Sequence, residues 1–293
     1  MREEMREFKL VTSSYPRNKP TTSVLKENDE VNTKLEDQIV SVQGILSQIG
    51  SKAQRSLLCR ESKIWETRLK NLFDLVDEVQ KCQRIWMYLE PIFSSEDIGK
   101  TLPEELTMFQ SVDGLWRVTM EAIEENAVLN DLLDRDNILT QFVEANKNLG
   151  EIQRHLNDYL DGKCQAFPRF YFLADDDLLK ILADTKDPGA VQPHMNKCFE
   201  GIKCVIFKNN EEVLGMTSAE KENVYFNKSI NVLEGEKKGN VEKWMVEIED
   251  QMRFTLRDMV KDSLADADIT PREEWYKKWP GQVILAVDQI QWT

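Results

Sequence analysis

Leu89-Glu-Pro-Ile-Phe-Ser-Ser-Glu-Asp-Ile-Gly-Lys-Thr-Leu-Pro-Glu-Glu105 can be read in two incompatible ways. Gly99-Lys100-Thr101 is how a phosphate-binding loop ends, and such a loop needs a strand before it and a glycine five residues ahead of Gly99. Ser94 occupies that position, and Glu96 and Asp97 would repel a triphosphate. The lead-in Trp86-Met-Tyr-Leu-Glu-Pro91 reads as a helix stopped by proline, not as a strand. The stretch is therefore a break between helices. Ser94 or Ser95 can cap a short helix with Glu96 and Asp97 in its first turn, and Pro103 suits the first position of the next.

The same period extends outward on both sides. Leu35, Ile39, Val42, Leu46 and Ile49 line one helix face. After a polar break at Gly50-Ser51 the stripe resumes with Trp65, Leu69, Leu72, Val76, Val79 and Trp86, ending at Pro91. Leu106, Phe109, Val112, Trp116, Met120 and Ile123 form the next face. Leu139, Phe142, Leu149, Ile152, Leu156 and Tyr159 form another, which Gly162 should close. Val241, Met245, Ile248, Met252, Leu256 and Met259 carry a long helix later in the chain. Thr270-Pro271 opens a further one, and Val283 to Ile290 is a last amphipathic segment.

Between these runs the texture changes. Phe167-Pro-Arg-Phe-Tyr-Phe-Leu173 is aromatic and extended-looking, and Asp175 caps a helix running to Leu182. Asp187-Pro188 and Gln192-Pro193 mark two more helix starts. Lys203-Cys-Val-Ile-Phe-Lys208 and Asn223-Val-Tyr-Phe-Asn227 flank a polar, turn-rich segment, which predicts one small β-hairpin. The expected class is mainly α, an elongated array of packed helical bundles with that hairpin. Residues 1–33 read as a flexible lead-in, 34–162 as a first bundle and 163–293 as a second subdomain. The last segment reaches Thr293 without a stop signal, so the chain is expected to be truncated there.

Composition narrows the function classes. The chain has 293 residues and a formal net charge of −14, which opposes binding to a nucleic-acid backbone. Five cysteines without a Cys-x-x-Cys pair read as reduced thiols, and Met1-Arg-Glu-Glu-Met lacks the apolar core of a secretion leader. No run approaches the ~18 apolar residues of a membrane span. His194 and Cys198, four apart, would share a helix face if Pro193 starts a helix, but they lack the further ligands that a structural zinc site requires. Asp175, Asp176 and Asp177 could hold a divalent ion, although a cap with dipole-favourable charge is the simpler reading. Phe167, Phe170, Tyr171 and Phe172 could dock a partner or plug the joint between bundles. No Gly-x-Ser-x-Gly elbow is present for a serine hydrolase.

The opening stretch also carries a resemblance. Trp86-Met-Tyr-Leu-Glu-Pro-Ile-Phe-Ser-Ser-Glu-Asp-Ile98, Leu102-Pro103-Glu104, Phe109, Val112-Asp113 and Trp116-Arg117 closely resemble the linker region of dynein heavy chains, in axonemal wording. The likeness continues through Phe167 to Leu173, Asp176 to Leu182, Thr185-Lys-Asp-Pro-Gly-Ala-Val-Gln-Pro-His194, Lys197 to Ile202, Val241-Glu-Lys-Trp244 and Met252. It implies a helical lever lying across a ring of AAA+ modules, whose swing during ATP hydrolysis drives movement along microtubules. The P-loop, arginine finger and microtubule-binding stalk belong to later parts of such heavy chains. ATP and Mg would act only in the ring, leaving no cofactor, catalytic residue or metal here. The implied partners are the AAA+ ring and other dynein subunits, with microtubules reached indirectly, in cytoplasm, cytoskeleton and ciliary axoneme. A helical scaffold that binds other subunits without moving is the alternative. Ring contact or a flexible joint is expected at Phe167, Pro168, Arg169, Tyr171, Asp187, Pro188, Gln192, Pro193 and His194.

Overall fold

The computed structural model describes residues 8–15, 21–26, 29–48, 57–94, 96–183 and 187–293. It divides into two compact units, Met1–Leu156 and Asn157–Thr293.

In the first unit, helices α1 (Asp29–Gln48) and α2 (Leu57–Phe93) pack together, followed by α3 (Glu96–Thr101), α4 (Pro103–Glu125), α5 (Leu129–Leu133) and the part of α6 (Ile138–Ala166) up to Leu156, the rest of α6 belonging to the second unit. The stripes read from periodicity face inward. Leu35 and Val42 of α1, Leu69, Leu72 and Trp86 of α2, and Phe109, Val112 and Trp116 of α4 are all buried. Ile49, the last residue of the α1 stripe, lies outside the described residues. Trp86 stacks on Trp116 at 5.5 Å and donates its indole N–H to Asp113 Oδ1 at 3.0 Å. Pro91 does not stop α2, which runs on to Phe93. Ser94 then turns back, its hydroxyl donating to the Glu90 carbonyl and carboxylate, so it closes α2.

The triplet that imitates a phosphate loop lies inside α3. Gly99 is there for packing, since a Cβ would come within 3.0 Å of a Leu106 methyl. Its place in a helix rather than a strand-to-helix loop removes the phosphate reading.

Where a flexible lead-in was expected over residues 1–33, the described part is ordered. Strands β1 (Thr12–Tyr15) and β2 (Thr22–Leu25) pair antiparallel, and α1 starts at Asp29. The Gln83 side-chain amide pairs with both the N–H and the C=O of Leu25, fixing the hairpin to α2. Tyr15 inserts against Trp86 at 5.4 Å and donates to the buried Glu90 carboxylate. Phe8 and Leu10 are buried, and their backbone groups bond to Leu129 and Ala127. Apolar side chains at few positions, paired to partners far along the chain, order a sequence that reads as polar.

The second unit contains a 3-10 helix (Pro168–Phe172), α7 (Asp175–Ala183), a second 3-10 helix (Pro188–His194) and α8 (Met195–Cys198). A three-stranded antiparallel sheet follows, β3 (Ile202–Lys208), β4 (Glu212–Ser218) and β5 (Asn223–Asn231), then α9 (Val241–Ala267), α10 (Arg272–Lys278) and α11 (Gly281–Trp292). The expected hairpin is thus a three-stranded meander, because β4 runs through the segment read as a turn. Asn209 and Asn210, both at positive φ, form the tight turn into β4. Gly215 is required on β4, since a Cβ there would collide with the Val224 carbonyl of β5. Gly162 does not close α6, which continues to Ala166. Burial of Leu160 and Cys164 on either side outweighs the ~1 kcal/mol cost of a helical glycine. Trp275, Val283 and Val287 form the core of the last corner, against Leu256, Val260 and Leu264 of α9.

Candidate functional site

The aromatic segment after α6 is not extended. Phe167 has an extended backbone, and Pro168 starts a 3-10 turn that ends at Phe172. A helix with three residues per turn puts i and i+3 on one face. Phe167 and Phe170 accordingly turn inward, fully buried and edge-to-face at 4.9 Å, with Phe199 6.1 Å from Phe167. Tyr171 and Phe172 turn outward, 59% and 70% exposed. Half of the run is core, and half is a surface shelf standing on it.

Arg169 fixes the shelf in place. Its guanidinium lies 4.7 Å above the Phe199 ring, donates to the Cys198 carbonyl at 3.1 Å, and reaches the Glu249 carboxylate of α9 at 3.2 Å. Arg253 donates to the same carboxylate, so Glu249 sits between two guanidiniums. Planar charge, aromatic face and carboxylate together make a joint that lysine could not reproduce. Beside it is a cleft of about 330 Å³ whose walls include Phe199, Met216, Val224, Met252 and Leu256, with Arg169 at its edge. The lining is mixed, since Glu200, Glu222, Glu249 and Arg253 line it beside those apolar side chains. Among the described residues no cluster of three or more His, Cys, Asp or Glu could hold a metal ion.

Asp187-Pro188 starts the second 3-10 helix, Pro188–His194, as expected, whereas Gln192-Pro193 lies inside it and α8 begins only at Met195. Asp187 Oδ1 accepts from the Gly189 N–H at 2.9 Å and from Asn210 Nδ2 at 2.6 Å, capping the turn and tying it to the β3–β4 connection. Pro188 is buried, and Pro193 lies inside the turn. Gln192 bonds both backbone groups of Val205, donating to its C=O at 2.8 Å and accepting from its N–H at 3.0 Å. His194 is nearly buried and its Nδ1 has no hydrogen-bond partner; Asp177 Oδ2 lies 3.8 Å away, beyond bonding range. Asp177 instead pairs with Lys197 at 2.6 Å, which lowers its pKa. Burial pushes the Cys198 thiol up to about 11, away from the thiolate that a metal would need.

The two segments singled out in the sequence are connected through α8. Met195 follows His194 directly, and Cys198 at the other end of α8 takes the Arg169 guanidinium. Phe199 and Glu249 belong to the same arrangement, though the sequence reading gave them no role. Glu249 had a signal, since it follows Ile248 and stands four residues after Met245 on the apolar side of α9.

The chain matches the family model described as "Dynein heavy chain, N-terminal region 2" over residues 1–263. It is 40% identical to dynein axonemal heavy chain 3 of Homo sapiens over 97% of its own length and 7% of that protein. It is 39% identical to dynein axonemal heavy chain 1 of Mus musculus, over 97% of the chain and 6% of the relative. Dynein axonemal heavy chain 12 of Mus musculus is 38% identical, over 92% and 9%. The chain therefore spans less than a tenth of the length of these relatives.

Proposed function

This chain belongs to the dynein heavy chain family, and from that premise we propose that it is a force-transmitting linker segment, performing no chemistry itself and coupling an ATP-driven AAA+ ring to movement along microtubules. The match to the N-terminal region over residues 1–263 carries this reading. Axonemal relatives support a place in the cytoskeleton of a cilium or flagellum, with the ring and other dynein subunits as partners. The construction suits a lever. The 37-residue α2 spans about 55 Å at 1.5 Å per residue and buries one face from Leu69 to Phe93.

In this reading Tyr171 and Phe172 are the ring-contacting or subunit-contacting surface. They are held rigidly by Phe167 and Phe170 beneath them and by Arg169 beside them. Asp187 and Gln192, within the Asp187 to His194 segment, brace the neighbouring sheet. A joint in this region would work by breaking the Gln192–Val205 and Asp187–Asn210 bonds, discrete contacts that can open and reclose.

The test fuses the chain to the AAA+ ring of an axonemal heavy chain, with fluorophores on ring and chain. A nucleotide-dependent change in transfer efficiency is expected, reduced in Tyr171→Ser/Phe172→Ser. An efficiency that stays constant through the ATP cycle would leave only a static scaffold. Heat of binding between the isolated chain and Mg-ATP would overturn the non-catalytic assignment.

A further inference from the structure

Thr270-Pro271 is the single Ser/Thr-Pro dipeptide among the 293 residues. It lies in the connection between α9 and α10. Pro271 has φ −54° and ψ 137°, and a residue before proline is itself biased toward extended backbone. Asp268, Ile269, Pro271, Arg272 and Glu273 are exposed around it, Ile269 at 83%. Thr270 itself is half-buried in a bend, its N–H donating to the Asp266 carbonyl at 2.8 Å. Its exposed flanks and the proline that follows, which lacks an N–H, are what a proline-directed kinase reads once that turn opens.

The acceptor hydroxyl also has a structural task. Thr270 Oγ1 donates to Asp266 Oδ1 at 2.8 Å, while Asp266 Oδ2 accepts from Lys278 Nζ at 2.9 Å and Trp279 Nε1 at 2.8 Å. One carboxylate thereby ties the last turn of α9 to the far end of α10. Trp279 packs on the Trp275, Val283 and Val287 cluster that seats α11.

We propose that Thr270 is a phosphoacceptor for a proline-directed Ser/Thr kinase, and that its phosphorylation opens the α9–α10–α11 corner by breaking the Asp266 junction. In the transfer, the γ-phosphorus of ATP bonds to Oγ1, the bond to the bridging oxygen of ADP breaks, and the hydroxyl proton leaves to the kinase base. Threonine loses its donor, and a group of charge about −2 arrives beside Asp266, where like charges repel. Lys278 is the nearby cation drawn from Asp266 toward the phosphate, which leaves the Trp279 indole without its anchored acceptor. This inference does not depend on the lever reading.

The test treats the whole chain with Mg-ATP and, separately, two proline-directed kinases of different docking preference. Phosphopeptide mapping should find phosphate on Thr270 with at least one of them, and none in Pro271→Ala. Amide exchange over Lys277 to Ile284 should then quicken roughly tenfold, the factor expected for one lost charge-assisted hydrogen bond. Thr270→Val, which removes the donor without adding charge, should quicken it less. Absence of phosphate on Thr270 with both kinases overturns the proposal, as does phosphate there with unchanged exchange.

Discussion

Lys163 Nζ lies 2.6 Å from Glu242 Oε1, with side-chain exposures of 15% and 8%. The pair joins the last turns of α6 to the first turn of α9, within the second unit. Tyr159, whose ring is 5.4 Å from the ammonium, has its hydroxyl pushed up to about 12 by burial and by the charge of Glu242. Breaking such a pair on one side leaves a charge stranded out of water.

Glu242→Ala should therefore destabilise the chain by about 3–5 kcal/mol. The double variant Lys163→Met/Glu242→Leu should recover most of that loss, since an apolar pair fills the same volume without desolvation. Urea unfolding of Glu242→Ala and of the double variant measures the difference. A double variant as unstable as Glu242→Ala would contradict the argument.

Asp113 plays a comparable part in the first unit. It accepts from Trp86 Nε1 at 3.0 Å and from Arg117 Nε at 2.8 Å. Asp113→Ala leaves the indole N–H of a fully buried tryptophan without an acceptor and should cost about 1–3 kcal/mol. Trp86→Ala should cost about 3–5 kcal/mol, because it also empties the stack on Trp116. Thermal melts that place the two variants together would contradict this ranking.

The pH response has a defined sign at Asp266. Hydrogen bonds from Lys278, then Trp279 and Thr270, bring its pKa from 3.8 to about 2. A depressed carboxylate pKa stabilises the fold above the unfolded value, and this contribution fades as pH falls from 3.8 to about 2. Asp266→Asn should be less stable at neutral pH and lose less on acidification across that window. Parallel acid titrations followed by tryptophan fluorescence would reveal the difference.

Thiol reactivity offers a simple check on the cores. Burial pushes Cys82 up to about 12 and Cys198 to about 11. Both should resist a thiolate-selective reagent at neutral pH in the folded chain and react after denaturation. Rapid labelling of Cys82 in the native protein would show that the α2 face is more open than its burial indicates.

The helices were legible because each carries a stripe of its own. Phe109, Val112, Trp116, Met120 and Ile123 repeat at helical spacing within 15 residues, and no outside information is needed to place them. β1 and β2 lack such a stripe. Their anchor is Gln83, 58 residues beyond Leu25, so local pattern alone leaves Thr22 to Leu25 looking loose. β4 was missed because Glu212, Gly215 and Ser218 give it a polar texture, although Val213 and Met216 are buried. The aromatic run could be located but not sorted. Which rings face inward depends on the three-residue period set by Pro168, and four aromatics among six residues fit either direction. Arg169 was visible as a candidate, but its partner Glu249 lies 80 residues away.

Gln192 has a consequence beyond holding its own turn. An exposed strand rim is a template on which a foreign strand can zip, the usual first step toward aggregates. By offering one acceptor and one donor to Val205, the Gln192 amide imitates a single residue of a neighbouring strand. The meander is thereby quenched at the middle of β3, where a chain crowded among its copies would otherwise begin to polymerise.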